Sequence, residues 1–271
     1  MAQQPGRERP ASRSRVIERQ ARWLTAALFA AFIALWELLA DVGLVDPKSA
    51  SRPSGVLGAL GTLFSGGDSD AFAAIGDTAY VLVVTFLISV AIGLPLGLAV
   101  ALNSTVRAAY LPVVMYLLGM PKAVFLPLFV LFFGLGNGSA IAFGAVLACL
   151  QIAVNVMGGI ESVERRFFNV ADAFGASGWS RFSHVILPGA APGIFAGLWH
   201  GIRNAFVGIL IAQMFVSNVG IGYLVKLDIN NLRIDDAMAL IVLAAAAVII
   251  VGSLWELGER RIMRWRSAVR E

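Results

Sequence analysis

Six long runs of apolar residues dominate the chain and are separated by shorter polar segments. An α-helix of about 20 residues crosses a bilayer core about 30 Å thick, so each run is long enough to span a membrane. The runs cover residues 23–39, 79–102, 108–133, 140–159, 194–216 and 238–257. This pattern predicts an all-α membrane protein with about six transmembrane helices.

The composition agrees with this prediction and narrows the range of chemical functions that the chain could have. Hydrophobic residues make up 58% of the 271 residues and charged residues only 14%, which is more apolar material than one soluble core needs. Cys149 is the single cysteine and lies within the fourth run, so we expect neither a disulfide framework nor a thiolate metal site. The pattern offers no catalytic residues.

The basic residues predict an orientation. Of the 21 Lys and Arg residues, 15 lie in the terminal segments and every second loop, and only Lys48, Arg52, Lys226 and Arg233 lie in the intervening loops. Because cytoplasmic segments carry the excess of Lys and Arg, both termini are predicted to be cytoplasmic. The expected organisation is a basic cytoplasmic tail (1–20), a transmembrane domain (21–260) with a cytoplasmic loop at 160–193, and a second cytoplasmic tail (261–271). Basic residues that flank spans do not indicate nucleic acid.

Prolines interrupt the second and third runs, at Pro95, Pro112, Pro121 and Pro127. Proline removes a backbone donor and kinks a helix, and such breaks survive in lipid only where protein or a water-filled cavity satisfies the freed carbonyl groups. These helices are therefore expected to line a translocation path or a subunit contact. The alternative is that glycine and proline are simply commoner in membrane helices.

The loop at 160–193 carries a pattern that a simple connection does not need. Apolar residues recur at helical spacing, pause at residues 175–178 and then resume until Pro188, which is predicted to end the helix. The repeating positions are Val163, Phe167, Val170, Phe174, Trp179, Phe182, Val185 and Ile186. This predicts a helix-turn-helix whose apolar face needs a partner, either the ends of the chain's own helices or a soluble protein.

The same loop resembles the EAA loop of permease subunits in ATP-binding-cassette (ABC) importers. The resemblance is carried by residues 169–171, Gly175 and the ending Val185, Ile186, Leu187 and Pro188 at the family's spacing. It implies a type I ABC-importer permease fold in the bacterial cytoplasmic (inner) membrane, crossed several times. It also implies that the loop contacts the ATPase through Asn169, Ala171, Asp172, Phe174, Gly175, Ala176, Trp179, Arg181, Leu187 and Pro188. Asn169 stands where the family usually has Glu, and Asp172 is the candidate substitute.

Further segments resemble the branch of this family that imports sulfonates, taurine and nitrate. They are Leu35, Trp36, Glu37, Arg52, Pro53, Ser54, Pro121, Ala123, Pro127, Leu128, Phe133, Gly134, Gly136, Ser217, Gly220, Gly222, Tyr223 and Leu224. Gln213 and Trp199 depart from the branch, which commonly has Glu and Arg there. The resemblance implies a second permease copy, identical or different, two ATP-binding subunits that hold ATP and Mg, and an extracytoplasmic solute-binding protein. This chain itself is expected to bind no cofactor.

Two cations, Lys122 and Arg203, fall well inside apolar runs, where a charge is costly and usually functional. Counted from the predicted cytoplasmic ends, both lie about 16–21 Å along their helices at 1.5 Å per residue, near the membrane midplane. No Asp or Glu lies in the runs except near their ends, so the pair favours an anionic solute. The alternative is bracing, with Lys122 donating to carbonyls freed by Pro121 and Arg203 held by Asn204 or Gln213. Asn155 and Trp199 complete the set of candidate path residues.

These features predict a permease subunit that moves a small, anionic solute inward by alternating access, and no chemistry on the chain itself. The sequence contains no GxxxxGK[ST] motif, so ATP must be hydrolysed on a separate subunit. The alternative is a secondary transporter or channel without an ATPase, which often shows inverted repeats or buried acids for coupling. A membrane enzyme needs a nucleophile and base or a metal cluster, and the sequence contains neither HExxH nor GxSxG.

Overall fold

The computed structural model describes residues 11–43, 51–65 and 69–263, and every regular element in these ranges is a helix. The helices are α1 (Ala11–Asp41), α2 (Pro53–Phe64), α3 (Ser69–Leu102), α4 (Ser104–Gly119), α5 (Leu126–Phe133), α6 (Asn137–Glu161), α7 (Arg165–Ala173), α8 (Gly178–Arg181), α9 (Leu187–Val216), α10 (Ile221–Asn230) and α11 (Ile234–Ile262). The outer parts of the two predicted tails, residues 1–10 and 264–271, lie outside the described residues.

Five helical segments of the described chain are long and apolar enough to cross a membrane, and the pair α4 and α5 makes a sixth if counted as one span. The predicted all-α fold of about six spans is confirmed. The third run is not one continuous helix, however, because α4 and α5 meet at 97°. Pro121 follows Met120, whose extended backbone (φ −75°, ψ 147°) is the conformation that a following proline imposes.

The prediction that Pro188 ends its helix is wrong. The chain remains helical from Gly178 to Val216, and Pro188 lies in the first turn of α9. A single π-helical turn, Phe182–Ile186, precedes it, in which the Leu187 N–H donates to the Phe182 carbonyl five residues earlier. This wider turn changes the hydrogen-bond pattern just ahead of the proline, so the helix continues without the donor that proline lacks.

The centre of the bundle is α6, which packs between α3 and α9. Small residues let the backbones touch: a Cβ built on Gly193 of α9 would lie 2.3 Å from the Gly159 Cα of α6. On the other side, a Cβ on Gly97 of α3 would lie 2.7 Å from the Ala153 carbonyl oxygen. Close packing through small residues is a main source of helix association in membranes, so these three helices form a tightly packed core.

The start of α2 ties α1 to α11. The Trp36 indole N–H donates to the Ser51 carbonyl at 2.9 Å, and the Ser51 hydroxyl donates to Asp235 at 2.6 Å. Ser54 donates its backbone N–H and its hydroxyl to the Glu37 carboxylate, at 3.1 and 2.6 Å. These bonds join two segments that carry the resemblance, residues 35–37 and 52–54, into one contact at the predicted outer end.

A second polar contact holds the start of α10. Gln213 is fully buried in α9, and its Oε1 accepts hydrogen bonds from the Thr78 hydroxyl at 3.1 Å and from the Gly222 N–H at 3.2 Å. The Thr78 oxygen in turn accepts from the Ile221 N–H at 2.9 Å. Two N–H groups that the first turn of α10 cannot pair internally are satisfied in this way.

Candidate coupling loop and translocation path

The loop hairpin, residues 165–190, contains the two helices that the sequence predicts, α7 and α8, joined by a tight turn, and it ends in the first turn of α9. Gly175 has φ +67°, a left-handed conformation that favours glycine, and the Ala176 N–H donates to the Ala171 carbonyl at 2.9 Å to close α7. Ser177 caps α8 by accepting from the Ser180 N–H at 3.2 Å. Local backbone chemistry therefore fixes the turn without help from the rest of the protein.

An ion pair between Asp172 and Arg181 joins the two helices of the loop hairpin. The Asp172 side chain is 53% exposed and that of Arg181 39% exposed, so water screens the pair only in part. The carboxylate that the sequence offers as a substitute for the family's Glu is thus engaged within the hairpin. Asn169 is exposed on α7.

The outer face of the loop hairpin is apolar and open. Phe174 is 86% exposed and Trp179 is 76% exposed, on either side of the turn. Phe167, Val170 and Leu187 add further exposed apolar surface. These exposed apolar side chains make the outer face a candidate interaction surface.

The inner face of the loop hairpin is anchored to the helix core. Ile186 and Ala190 are buried against Ile160 and Val156 of α6, and Phe168 packs on the same cluster. Ala171 is also buried, with 8% exposure. The inner face therefore joins the hairpin to α6 and to the first turn of α9.

The two membrane cations occupy different settings. Lys122 lies in a 3₁₀ turn (Lys122–Phe125) at the α4–α5 bend and donates to the Leu118 carbonyl at 2.8 Å. Arg203 is exposed on α9, and no described acidic side chain pairs with it. A charge exposed within an apolar, membrane-length helix is costly unless a partner covers it.

The other three candidate path residues lie at helix contacts. Asn155 donates to the Gln151 carbonyl at 2.8 Å, and its Cβ faces Gly197 of α9. Trp199 stacks on Trp255 of α11, with ring centroids 6.4 Å apart, and Gln213 caps α10 as described above. Within the described chain, the five candidates do not converge on one cavity.

The sequence did not indicate two polar pairings that the structure shows. Thr78 lies just before the second apolar run and bonds to Gln213, which is 135 positions away along the chain. Arg107 and Glu161 form an ion pair of 2.6 Å that joins the start of α4 to the end of α6. Both of these long-range pairings depend on the packing of the helices, for which the local pattern carries no signal. Among the described residues, no three His, Cys, Asp or Glu side chains are grouped to hold a metal ion.

A kinked bundle of apolar helices with an anchored, apolar hairpin at one end is the architecture of a transport subunit. The model of the binding-protein-dependent transport system inner membrane component family matches residues 93–261. The chain belongs to this family and is a permease subunit of a binding-protein-dependent ABC importer, a multi-pass protein of the inner membrane. The class of its partners follows from membership: a solute-binding protein and an ATPase.

Curated relatives match most of the chain. The taurine transport system permease protein TauC of Escherichia coli (strain K12) is 28% identical over 91% of this chain and 90% of its own length. The putative aliphatic sulfonates transport permease protein SsuC of Bacillus subtilis (strain 168) is 26% identical over 91% and 89%. The nitrate import permease protein NrtB of Leptolyngbya laminosa is 26% identical over 74% and 73%. The resemblance to the sulfonate, taurine and nitrate branch is confirmed.

Solved structures show the same fold at low sequence identity. An inward-facing conformation of the MetNI methionine ABC transporter matches with a TM-score of 0.60 and 18% identity, covering 72% of this chain and 95% of that one. An amino acid ABC transporter with histidines matches with a TM-score of 0.59 and 16% identity, covering 70% and 92%. The predicted type I importer fold is confirmed.

Proposed function

We propose that the loop hairpin docks on an ATPase subunit and couples ATP hydrolysis there to the inward movement of a small anionic solute. The observation that carries this proposal is the contrast between the two faces of the hairpin. Phe174 and Trp179 are almost fully exposed, whereas Ile186 and Ala171 are buried in the helix core. A purely structural hairpin has no use for two such aromatic side chains in water.

The anchoring supports a mechanical role. Because α9 continues without interruption from α8 through the π-helical turn, displacement of the hairpin moves α9 and, through Gly193 and Gly159, α6. Two ATPases that close on ATP would in this way rock two permease copies between inward-open and outward-open states. ATP and Mg belong to the ATPases in this scheme, and this chain holds neither.

Charge supports an anionic solute. Arg203 is exposed at membrane depth, Lys122 lies at the helix bend, and the apolar runs contain no acid except near their ends. In an importer with two permease copies, identical or different, Arg203 reaches either the path or the partner copy. A positive path favours anions such as sulfonates or nitrate, for which relatives are named, and attracts the sulfonate group of the zwitterion taurine.

The coupling proposal is tested with Gly175→Trp in a chain co-expressed with its ATPase and solute-binding protein. The open space around Gly175 leaves room for the indole, so we expect the fold to survive the strain of a side chain at φ +67° and the ATPase contact to be lost. Gly43→Trp is the matched control for co-purification, because Gly43 has φ +74° and equally open space but follows the end of α1. The readouts are ATPase co-purification and ATP-driven uptake of labelled taurine, nitrate and alkanesulfonates.

Loss of both readouts in Gly175→Trp, with co-purification kept in Gly43→Trp, supports coupling through the loop hairpin. Retained ATPase binding and uptake in the Gly175 variant contradicts it. Uptake by the chain without any ATPase favours the alternative, a secondary transporter or channel. Uptake of cations in preference to anions contradicts the solute proposal alone.

A further inference from the structure

Helix α4 lies between two breaks in the helical backbone. Asn103 separates it from α3 and has extended backbone angles (φ −125°, ψ 113°). At the other end, Met120 is also extended, and the 97° bend into α5 follows it. Segments that move as rigid bodies turn about a few residues of this kind at the ends of elements. Helix α4 can therefore tilt as one body about these two points.

The packing of α4 on the bundle is sparse. Of the residues of α4, all of which the structure describes, Val114 alone is buried, whereas α6 is buried along most of its length. Tyr110 and Tyr116 of α4 are 52% and 74% exposed. Because close packing is what holds helices together in a membrane, α4 is held less firmly than α6.

An ion pair fixes the start of α4. The Arg107 Nη2 lies 2.6 Å from the Glu161 Oε1, and Arg107 belongs to the first turn of α4. Asn103 caps this turn by accepting from the N–H groups of Thr105 and Val106 at 2.9 and 3.2 Å. The paired side chains are 42% and 37% exposed, and a pair this open to water adds little to stability. The pair therefore matters for where it holds α4.

Glu161 lies at the base of the loop hairpin. It is the last residue of α6, and a short connection leads from it to α7. The connection is firmly held, because the Ser162 hydroxyl donates to the Gly159 carbonyl at 2.7 Å and Val163 packs against the cluster that contains Ile186. The carboxylate of Glu161 is thus bound closely to the inner face of the hairpin.

We propose that the Arg107–Glu161 pair is a tie that makes α4 follow the loop hairpin, so that ATPase closure tilts α4 and moves the α4–α5 bend. Both are positioning residues, which act through α4 and touch neither solute nor ATPase. The inference rests on the proposed function, because it takes the hairpin to be the part that the ATPase moves. It adds a second route for that movement, beside the continuous helix from the hairpin into α9.

The test measures uptake per ATP hydrolysed by the full chain reconstituted with its ATPase and solute-binding protein, with labelled taurine, nitrate and alkanesulfonates as probes. Arg107→Met and Glu161→Gln should each lower this ratio by about three- to fivefold, the weight of a partly exposed ion pair. ATPase co-purification and the thermal unfolding temperature should stay as in wild type. Arg260→Met is the control and should leave the ratio unchanged, because the Arg260–Glu256 pair lies within α11 and joins no second helix.

Two rescue experiments separate a tie from a local structural role. The exchanged pair Arg107→Glu with Glu161→Arg restores the contact and should recover most of the lost ratio. In a Cys149→Ser background, Arg107→Cys with Glu161→Cys removes the ion pair, and a short bifunctional maleimide then joins the two positions. Uptake per ATP should be low before the reagent is added and should rise after it. Arg107→Cys alone should not respond to the reagent.

Wild-type ratios in both Arg107→Met and Glu161→Gln overturn the proposal. A cross-linked protein that hydrolyses ATP without uptake also overturns it, because α4 and α6 must then separate during transport. A fall in stability that parallels the fall in uptake, without recovery in the exchanged pair, shows a structural role and overturns it too.

The failure of this inference can be told apart from the failure of the proposed function. If Gly175→Trp abolishes coupling while Arg107→Met transports as wild type does, only the tie fails. If Gly175→Trp keeps its coupling while Arg107→Met lowers the ratio and the exchanged pair restores it, docking through the hairpin fails and the tie stands.

Discussion

The helix core and the loop hairpin both depend on glycine, but for opposite reasons. In the core, a Cβ on Gly193 would collide with the backbone of Gly159. In the hairpin, a Cβ on Gly175 would meet open space, and only the φ of +67° calls for glycine. Core glycines therefore hold the fold together, whereas Gly175 shapes a turn and leaves room beside it for a partner.

The apolar residues of the two regions differ in the same way. Ile152 and Val156 of the core are fully buried, whereas Phe174 and Trp179 of the hairpin are exposed. Substitutions in the core should therefore change stability first, and substitutions in the hairpin should change coupling while leaving stability nearly intact. The following predictions test this division, from the largest expected effect on stability to the smallest.

Gly193→Val should give the largest loss of stability. The neighbouring atoms belong to the backbone of α6 and cannot yield, and overpacking a tight core costs about 1–3 kcal/mol or more. We expect a strong fall in the yield of monodisperse protein and in its thermal unfolding temperature. Gly158→Val is the control, because a Cβ at Gly158 meets nothing within 4 Å. Equal stability of the two variants would contradict the packing of α6 on α9.

Gln213→Leu should cost less, about 1–3 kcal/mol, because it leaves the Thr78 hydroxyl and the Gly222 N–H without their acceptor. Gln213→Glu, which burial keeps in its neutral form, retains an acceptor at the start of α10 and should be closer to wild type than Gln213→Leu. Thermal unfolding in detergent measures both variants. A Gln213→Leu protein as stable as Gln213→Glu would show that the hydrogen bonds contribute little.

Gly175→Val should cost roughly 1–2 kcal/mol, the penalty for a side chain in the left-handed region, without a steric clash. Gly175→Asn should restore most of this loss, because Asn tolerates that conformation. Both variants add a side chain on the partner's side, so both should reduce ATPase stimulation. If Gly175→Asn restores coupling fully, the turn geometry alone matters and not the free space.

Asp172→Asn and Arg181→Met should change stability least, by less than about 1 kcal/mol, because both side chains are partly exposed. We expect a measurable fall in coupled transport in each variant, because the angle between α7 and α8 is less constrained. The exchanged pair Asp172→Arg with Arg181→Asp should recover part of it. No recovery in the double variant would indicate that one of the two charges contacts the ATPase directly.

Much of the fold could be predicted from the sequence, because the local spacing of apolar residues indicates both the membrane-spanning helices and the amphipathic hairpin. The effect of proline is not local. Pro95 remains inside α3, where Gly93 and Gly97 pack against α6. Pro121 breaks its helix beside the exposed Met120 and Val124, whereas Pro112 remains inside α4, where Val113 is exposed. The same residue type therefore gives different outcomes that the position of the proline alone does not predict.

The candidate site, too, could be predicted from the sequence only where its residues are close together along the chain. The exposed turn of the hairpin could be predicted because Gly175 and the flanking aromatics are adjacent in sequence. The setting of Gln213 could not, since a polar residue in an apolar run can face a path or cap another helix. Thr78 and Gly222 decide between these possibilities, and only the folded chain brings them to Gln213.

The most direct test of the coupling claim is site-specific cross-linking from the loop hairpin to the ATPase in the assembled importer. In a Cys149→Ser background, which removes the native cysteine, Phe174→Cys carries a photoreactive probe at an 86% exposed position. Leu232→Cys, at a 64% exposed position between α10 and α11, is the control. The account predicts ATPase cross-links from residue 174 whose yield changes with ATP, and none from residue 232. Cross-links from residue 232 but not from residue 174 would contradict it.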